Sequence, residues 1–271
     1  MKSILFFVLV LLLIGIVVLC SFSHVETFED KFENKLSLLS MFKNETMTMK
    51  TWLEHYVKQG VEQFYLIDNG SEDNPLEILQ PYIDNGLVKY YYMPEKHKQE
   101  DRFRELIEIE NLRKKTEWLI ICDLDEFFYG YPNKLITTLD EFSGRDIIYC
   151  FWRMFGTDGH EKHPENILKS IVWRTPNEDK AHIKYIFKPS KVHDLKDITL
   201  HQVANLNNAE LFNDKIRLNH YPLQSLEFYQ KVKMTRGDAY ANFNENIRNM
   251  EYFEKYNDNM IIKDDVLANM S

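Results

Sequence analysis

Trp118-Leu119-Ile120-Ile121-Cys122-Asp123-Leu124-Asp125-Glu126-Phe127 is the stretch on which the reading of this chain turns. Five apolar residues in a row, bounded by polar ones, read as a strand buried on both faces. The run ends abruptly in two carboxylates separated by one leucine. If the chain stays extended there, Asp123 and Asp125 point the same way and Leu124 turns into the core. Two carboxylates held that near each other resist joint ionisation unless a cation lies between them. Hard divalent ions such as Mg²⁺ or Mn²⁺ take oxygen ligands and keep positions open for the phosphate oxygens of a second molecule. A metal-bridged nucleoside diphosphate suits such a tip. The plainer alternative is a pair of surface acids that end a strand and solvate a turn.

Working upstream, the same grammar repeats. Leu36 to Phe42 is an apolar run of strand length, followed by Met49, Trp52, Leu53, Tyr56 and Val57 at helical spacing and a stop at Gly60. Phe64 to Ile67 is a second strand; it ends in the turn signal Asp68-Asn69-Gly70-Ser71, and Pro75 opens a helix with Leu76, Leu79, Tyr82 and Ile83 on one face. Leu87 to Tyr92 is a third strand, and Asp101 to Lys115 a charged helix carrying Phe103, Leu106, Ile107, Ile109 and Leu112. The expected fold class is therefore α/β, with a largely parallel sheet covered by helices on both faces. Such sheets bind ligands at the carboxyl ends of their strands. Three polar tips gather there: Lys43-Asn44-Glu45, Asp68 to Asp73, and Asp123 to Glu126. Downstream, Ile147 to Phe151 is a fifth strand, after which the pattern breaks into short aromatic runs with scattered His and Lys. Phe228 to Lys255 reads as helical with one interruption at Gly237.

The chain has 271 residues and a formal charge of −9, which argues against a protein that coats nucleic acid, because phosphate binding needs a clustered excess of Lys and Arg. Ile4 to Cys20 is a charge-free apolar run, long enough to span a bilayer and followed by a poor cleavage sequence. Residues 1–23 are thus expected to be a signal anchor with a cytosolic N-terminus, 24–35 a stem, and 36–271 one domain, lumenal or external. Cys122 and Cys150 each sit in an apolar run and are expected to be buried thiols. Sequons begin at Asn44, Asn69 and Asn269.

The ordered blocks resemble a GT-A glycosyltransferase, and within that superfamily the family 92 and family 2-like enzymes most. The blocks are Phe42-Lys43-Asn44-Glu45, Trp52-Leu53-Glu54-His55-Tyr56 with Gly60, Phe64 to Asp73, and Ile121 to Phe127. Phe155 to His160, Lys188-Pro189, His220 to Phe228 with Lys231, and Arg236-Gly237-Asp238-Ala239 follow in the same order. The resemblance implies a Rossmann-like, mostly parallel central sheet. It further implies that Asn44, Glu45, Asp68 and Asn69 contact the base and ribose of a nucleotide-sugar, a UDP-sugar first among donors. Asp123 and Asp125 would hold Mn²⁺ or Mg²⁺ and through it the diphosphate, with His220 completing the metal shell. Glycans on Asn44 or Asn69 would obstruct that cleft, so those sequons are expected to stay unmodified.

Related families mostly invert the anomeric centre, which calls for a carboxylate base; Asp158, Glu161 and Glu165 lie in one glycine-containing loop, and Asp158 is the first choice. The basic stretch Lys184, Lys188 and Lys191 could neutralise the leaving diphosphate, Lys188 being singled out, or be a solvated strand face. Trp152, Trp173 and Tyr185 could stack on sugars or simply pack. The competing functions are a nucleotidyl- or phosphotransferase, although no G-x-x-x-x-G-K-[ST] loop occurs, and a non-catalytic binding ectodomain.

Overall fold

The computed structural model describes residues 32–95, 98–211, 214–235 and 248–270. The apolar run Ile4 to Cys20 and the Arg236 to Ala239 block lie outside them. No helix among the described residues is long and apolar enough to cross a membrane.

The first half follows the expected alternation. Strand β1 (Asn34–Phe42) leads into helix α1 (Thr46–Gln59), β2 (Gln63–Asp68) into α2 (Leu76–Asp84), and β3 (Val88–Tyr92) into α3 (Gln99–Ile109). The short α4 (Leu112–Lys115) then precedes β4 (Thr116–Ile121). β1 begins at Asn34, so the last two residues assigned to a stem belong to the sheet. Gly60 ends α1 in the left-handed region, φ +94, where a Cβ would lie 2.3 Å from Cγ2 of Ile136, so only glycine lets the helix stop this close to its neighbour. The single helix expected over 101–115 is two. Asn111 takes φ +55 between them, and the Glu110 carboxylate is drawn to Lys89 and to the Tyr91 hydroxyl.

Alternation within the strands sorts the core. Leu36, Leu38, Phe64, Leu66, Trp118 and Ile120 face one layer with Trp52 and Tyr56 of α1. Leu39, Tyr65, Ile67, Leu119 and Ile121 face the other, with Phe103, Leu106 and Ile107 of α3. A sheet buried on both faces needs apolar residues at every position, which is why these strands read as continuous runs.

The second half supplies β5 (Glu126–Gly130), β6 (Ile147–Met154), β7 (Trp173–Arg174), β8 (Asp179–Phe187), β9 (Ala209–Leu211), β10 (Ile216–His220) and β11 (Ile262–Lys263). The main sheet has the order β3-β2-β1-β4-β8-β6-β10-β5, with β9 also on β6, while β7 and β11 pair separately. β3, β2, β1 and β4 are mutually parallel. β8 is antiparallel to both β4 and β6, and β5 is antiparallel to β10. The expectation of a largely parallel sheet thus holds for direction but not for neighbours: β8 is inserted head down between β4 and β6, and β5 runs reversed at the edge beside β10. The order also places a switch point between β1 and β4, where successive connections leave in opposite directions, the place at which open α/β sheets bind ligands.

Candidate active site

The Asp123–Asp125 tip is a turn, not an extended strand end: the Glu126 N–H donates to the Asp123 carbonyl at 3.1 Å. The alternation argument for two parallel side chains therefore fails, and each carboxylate has its own lysine. Lys184 Nζ donates to Asp123 Oδ2 at 2.9 Å and lies 3.2 Å from Glu126 Oε2. Lys233 Nζ donates to Asp125 Oδ2 at 2.7 Å and lies 3.9 Å from Glu45 Oε1. Gln99 at the start of α3 adds a 3.2 Å hydrogen bond to Asp123 Oδ1.

The reversed strands explain how these groups arrive. β8 pairs Tyr185 with Ile121, so Lys184, one residue earlier, stands across from the tip. β10 pairs His220 with Glu126 on one side and with Met154 on the other, which sets His220 beside Asp125. His220 Nε2 and Asp125 Oδ1 face each other at 3.5 Å. The tip's backbone is equally fixed. Trp52 Nε1 donates to the Asp123 carbonyl, the Tyr221 N–H to that of Asp125, and the Tyr56 hydroxyl to that of Glu126. Glu126 in turn accepts the Asp123 N–H at 2.9 Å.

Burial and charge set the ionisation. Burial works against a charged Asp125, yet the neighbouring Lys233 and His220 outweigh it and hold the carboxyl well below its ordinary range. Asp123 is shifted the same way: burial and Asp125 oppose ionisation, and Lys184 prevails. Glu126, fully buried, is pushed up to about 7 by burial despite Lys184. Lys184, although buried, is held above its ordinary value by Asp123 and Glu126.

A divalent cation fits part of this set. Among the described residues no group of three or more His, Cys, Asp or Glu side chains could hold a metal by itself. Asp125 and His220 offer one oxygen and one nitrogen at 3.5 Å. That is wider than a good hydrogen bond and close to the separation of adjacent ligands around a hard ion. Two protein ligands, with the remaining positions left to phosphate and water, is the ordinary arrangement for Mg²⁺-type sites.

The other expected residues divide. Asn44 (φ +54) and the β2 turn are laced together, with the Asn44 N–H on Ser71 Oγ and the Glu72 N–H on Asn44 Oδ1. Asp68 accepts from the Ser71 N–H and the Tyr90 hydroxyl, each at 2.7 Å, and Asn69 Nδ2 donates to the carbonyls of Met93 and Glu95. Asp68 and Asn69 thus perform turn chemistry at the carboxyl end of β2. Glu45 is buried at the start of α1, against Lys233.

Lys188 is a correction: it follows the far end of β8, donates to the Ser143 carbonyl at 2.6 Å and lies over the Trp118 ring, at the edge of the sheet away from Asp123. Of the basic stretch, Lys184 is the residue the fold brings to the tip. Asp158 takes φ +49, and its carboxylate accepts the backbone N–H groups of Val172 and Trp173. Burial raises its pKa against those two bonds. Glu161 is exposed. Trp152 is sandwiched between His182, stacked at 4.8 Å and 9°, and His220 at 4.1 Å, so both faces of the indole are already covered. Tyr185 is buried in the core and Trp173 is 40% exposed. Cys122 and Cys150 are free and buried, as expected.

Sequence reasoning missed Lys233 and Gln99 altogether. Lys231, which it did single out, lies in solvent on Glu227. The two lysines are too close in sequence to share one side of a helix, and nothing in the local pattern says which one turns inward.

The model of a family described as Glycosyltransferase family 92 matches residues 37–268. A glycosyltransferase family 92 protein of Oryza sativa subsp. japonica is 25% identical over 206 residues, covering 73% of this chain and 35% of that protein. One of Ricinus communis is 27% identical over 97 residues, covering 35% and 17% respectively. The chain spans about a third or less of the length of these curated relatives. Among solved structures, S. aureus TarS 1-349 aligns with a TM-score of 0.47 at 16% identity, covering 73% of this chain and 63% of that one. Its complex with UDP gives 0.47 at 17% identity over the same shares.

Proposed function

This chain belongs to glycosyltransferase family 92, and from that membership we propose that it is a membrane-anchored, divalent-cation-dependent glycosyltransferase. It moves a sugar from a nucleotide-sugar, UDP-sugars first, onto a glycan, protein or lipid acceptor. The observation that carries this reading is the meeting of Asp125 with His220 at 3.5 Å at the carboxyl edge of the sheet, where the turn after β4 reaches the end of β10, made by segments 95 positions apart.

Each part of the chain has a task in that reaction. Asp125 and His220 would hold the cation, which when bound would stabilise the charge developing on the departing diphosphate. Asp123, fixed by Lys184, contacts the donor beside it. Asn44, Glu45, Asp68 and Asn69 shape the nucleoside side of the crevice, Asp68 and Asn69 by holding its lip. Transfer with inversion needs the acceptor hydroxyl to lose its proton to a carboxylate. The 155–165 loop supplies that base, Asp158 first and Glu161 second. The apolar run Ile4 to Cys20 supplies the anchor.

The test is release of nucleoside diphosphate from a panel of nucleotide-sugars by the full chain, with EDTA and after Mn²⁺ is restored. Mn²⁺-dependent release is expected. Release of pyrophosphate instead would point to a nucleotidyltransferase, and inertness toward every donor to a binding ectodomain. Within this reading Asp158→Asn leaves donor binding intact and stops transfer; persistence of transfer would move the base to Glu161.

A further inference from the structure

Lys233 occupies an unusual place. Its ammonium bridges the loop after β1, through Glu45, and the loop after β4, through Asp125, and so sits between the two loops that flank the switch point. Its side chain is 4% exposed and that of Asp125 is 9%. A buried ion pair is a poor source of stability, because desolvation offsets most of the attraction and apolar replacements do as well or better. The pair therefore calls for a reason other than folding.

The backbone points the same way. Residues Tyr229–Lys233 form a π-helical turn directly after the short helix Leu226–Phe228. Such turns are rare and occur mostly at functional sites. This one carries Lys233 to Asp125 while Lys231 remains in solvent on Glu227. The charge balance matters as well. Among the described residues, Asp123, Asp125, Glu126 and Glu45 meet two ammonium groups, Lys184 and Lys233. Lys184 is tied to Asp123 and Glu126. Lys233 is the ammonium that shares a carboxylate with the proposed cation site.

We propose that Lys233 is a resident counter-ion that changes partner during the reaction cycle: it neutralises Asp125 before the donor arrives, gives up that carboxylate when a divalent cation takes it, and then pairs with a phosphate oxygen of the donor. This rests on the function proposed above and adds to it a residue that the family blocks do not mark. Lys233 and the cation then compete for Asp125 in the absence of nucleotide, yet act together on the diphosphate once it is bound.

The two linkages have opposite signs, which separates this role from a structural one. With the full chain and calorimetry, Lys233→Met is expected to bind Mn²⁺ alone on the order of tenfold more tightly than the natural protein. With Mn²⁺ saturating, it is expected to bind UDP on the order of tenfold more weakly. Lys233→Arg, which keeps the charge, should restore both values toward those of the natural protein. If both affinities of Lys233→Met move in the same direction, or neither moves, the inference is wrong. Should Lys233→Met fail to fold, crystals of the natural chain with Mn²⁺ and UDP decide: Lys233 Nζ on a phosphate oxygen supports it, and Lys233 Nζ still on Asp125 overturns it. A natural chain that binds no UDP in the presence of Mn²⁺ would remove the proposed function itself, an outcome distinct from either.

Discussion

The four parallel strands β1 to β4 and the two reversed strands β5 and β8 reach the same edge of the sheet from opposite directions, and they bring different things to it. The parallel strands arrive with their carboxyl ends and deliver turns: Asn44 and Glu45, Asp68 and Asn69, Asp123. The reversed strands deliver the buried charges, Glu126 from the start of β5 and Lys184 from within β8. Position along a reversed strand then decides everything: Lys184 meets Asp123 at 2.9 Å, while Lys188, four residues on, meets the Ser143 carbonyl at the opposite edge. Of the partners of the acid turns, Lys184 comes from the reversed β8, His220 from the end of the forward-running β10 and Lys233 from the π-helical turn beyond it.

That contrast can be broken at graded cost. The largest effect is expected at the tip itself: Asp125→Asn should lower turnover on the order of 10³-fold, about 4 kcal/mol of transition-state stabilisation, with the fold intact by circular dichroism. Unchanged turnover would take Asp125 out of the chemistry. Lys184→Met comes next, because it strands fully buried Glu126. The expected loss is roughly 3 kcal/mol in urea unfolding, at the low end for a broken buried pair since Asp123 is partly open to water.

A third experiment sharpens the contrast where the two regions touch. His55 of α1 bonds the Phe128 carbonyl of β5 at 2.7 Å. Burial holds its pKa down to about 4, the Phe128 bond opposing in part. The folded value lies below the unfolded 6.5, so protonation favours unfolding. Stability should be complete above pH 6.5 and fall by on the order of 3 kcal/mol as pH drops to 4. His55→Gln should flatten that slope, and denaturant midpoints at pH 7 and 4.5 measure it; an identical slope would mean that His55 does not titrate this way. The smallest effect belongs to Lys188→Met, expected to leave donor affinity within about twofold and to cost about 1 kcal/mol or less. If it weakened donor binding as much as Lys184→Met, the assignment of the two ends of β8 would be wrong.

Legibility followed the same division. β1 to β4 were readable because doubly buried strands leave continuous apolar runs and their helices keep a clean period; even the Gly60 stop was visible. The acidic tip was readable too, though as an extended end, since sequence spacing cannot distinguish a strand from the turn that the Glu126 N–H closes. β8 and β10 were not foreseen: with charged and polar residues interspersed, they owe their place to partners found only in the folded sheet. Lys233 left no trace, because an inward lysine on a π-helical turn is spelled like an outward one on an α-helix. His220 was found through its block, and the register of β10 against β5 supplied the reason it lies beside Asp125.

The tethering of the acidic tip has a thermodynamic consequence. With the carbonyls of Asp123, Asp125 and Glu126 anchored by Trp52, Tyr221 and Tyr56, this part of the site is preorganised. An arriving donor need not freeze a disordered main chain there, so that segment adds little ordering entropy to association. Calorimetry across different nucleotide-sugars should then show heat-capacity changes that track apolar surface covered, without the excess that marks coupled folding.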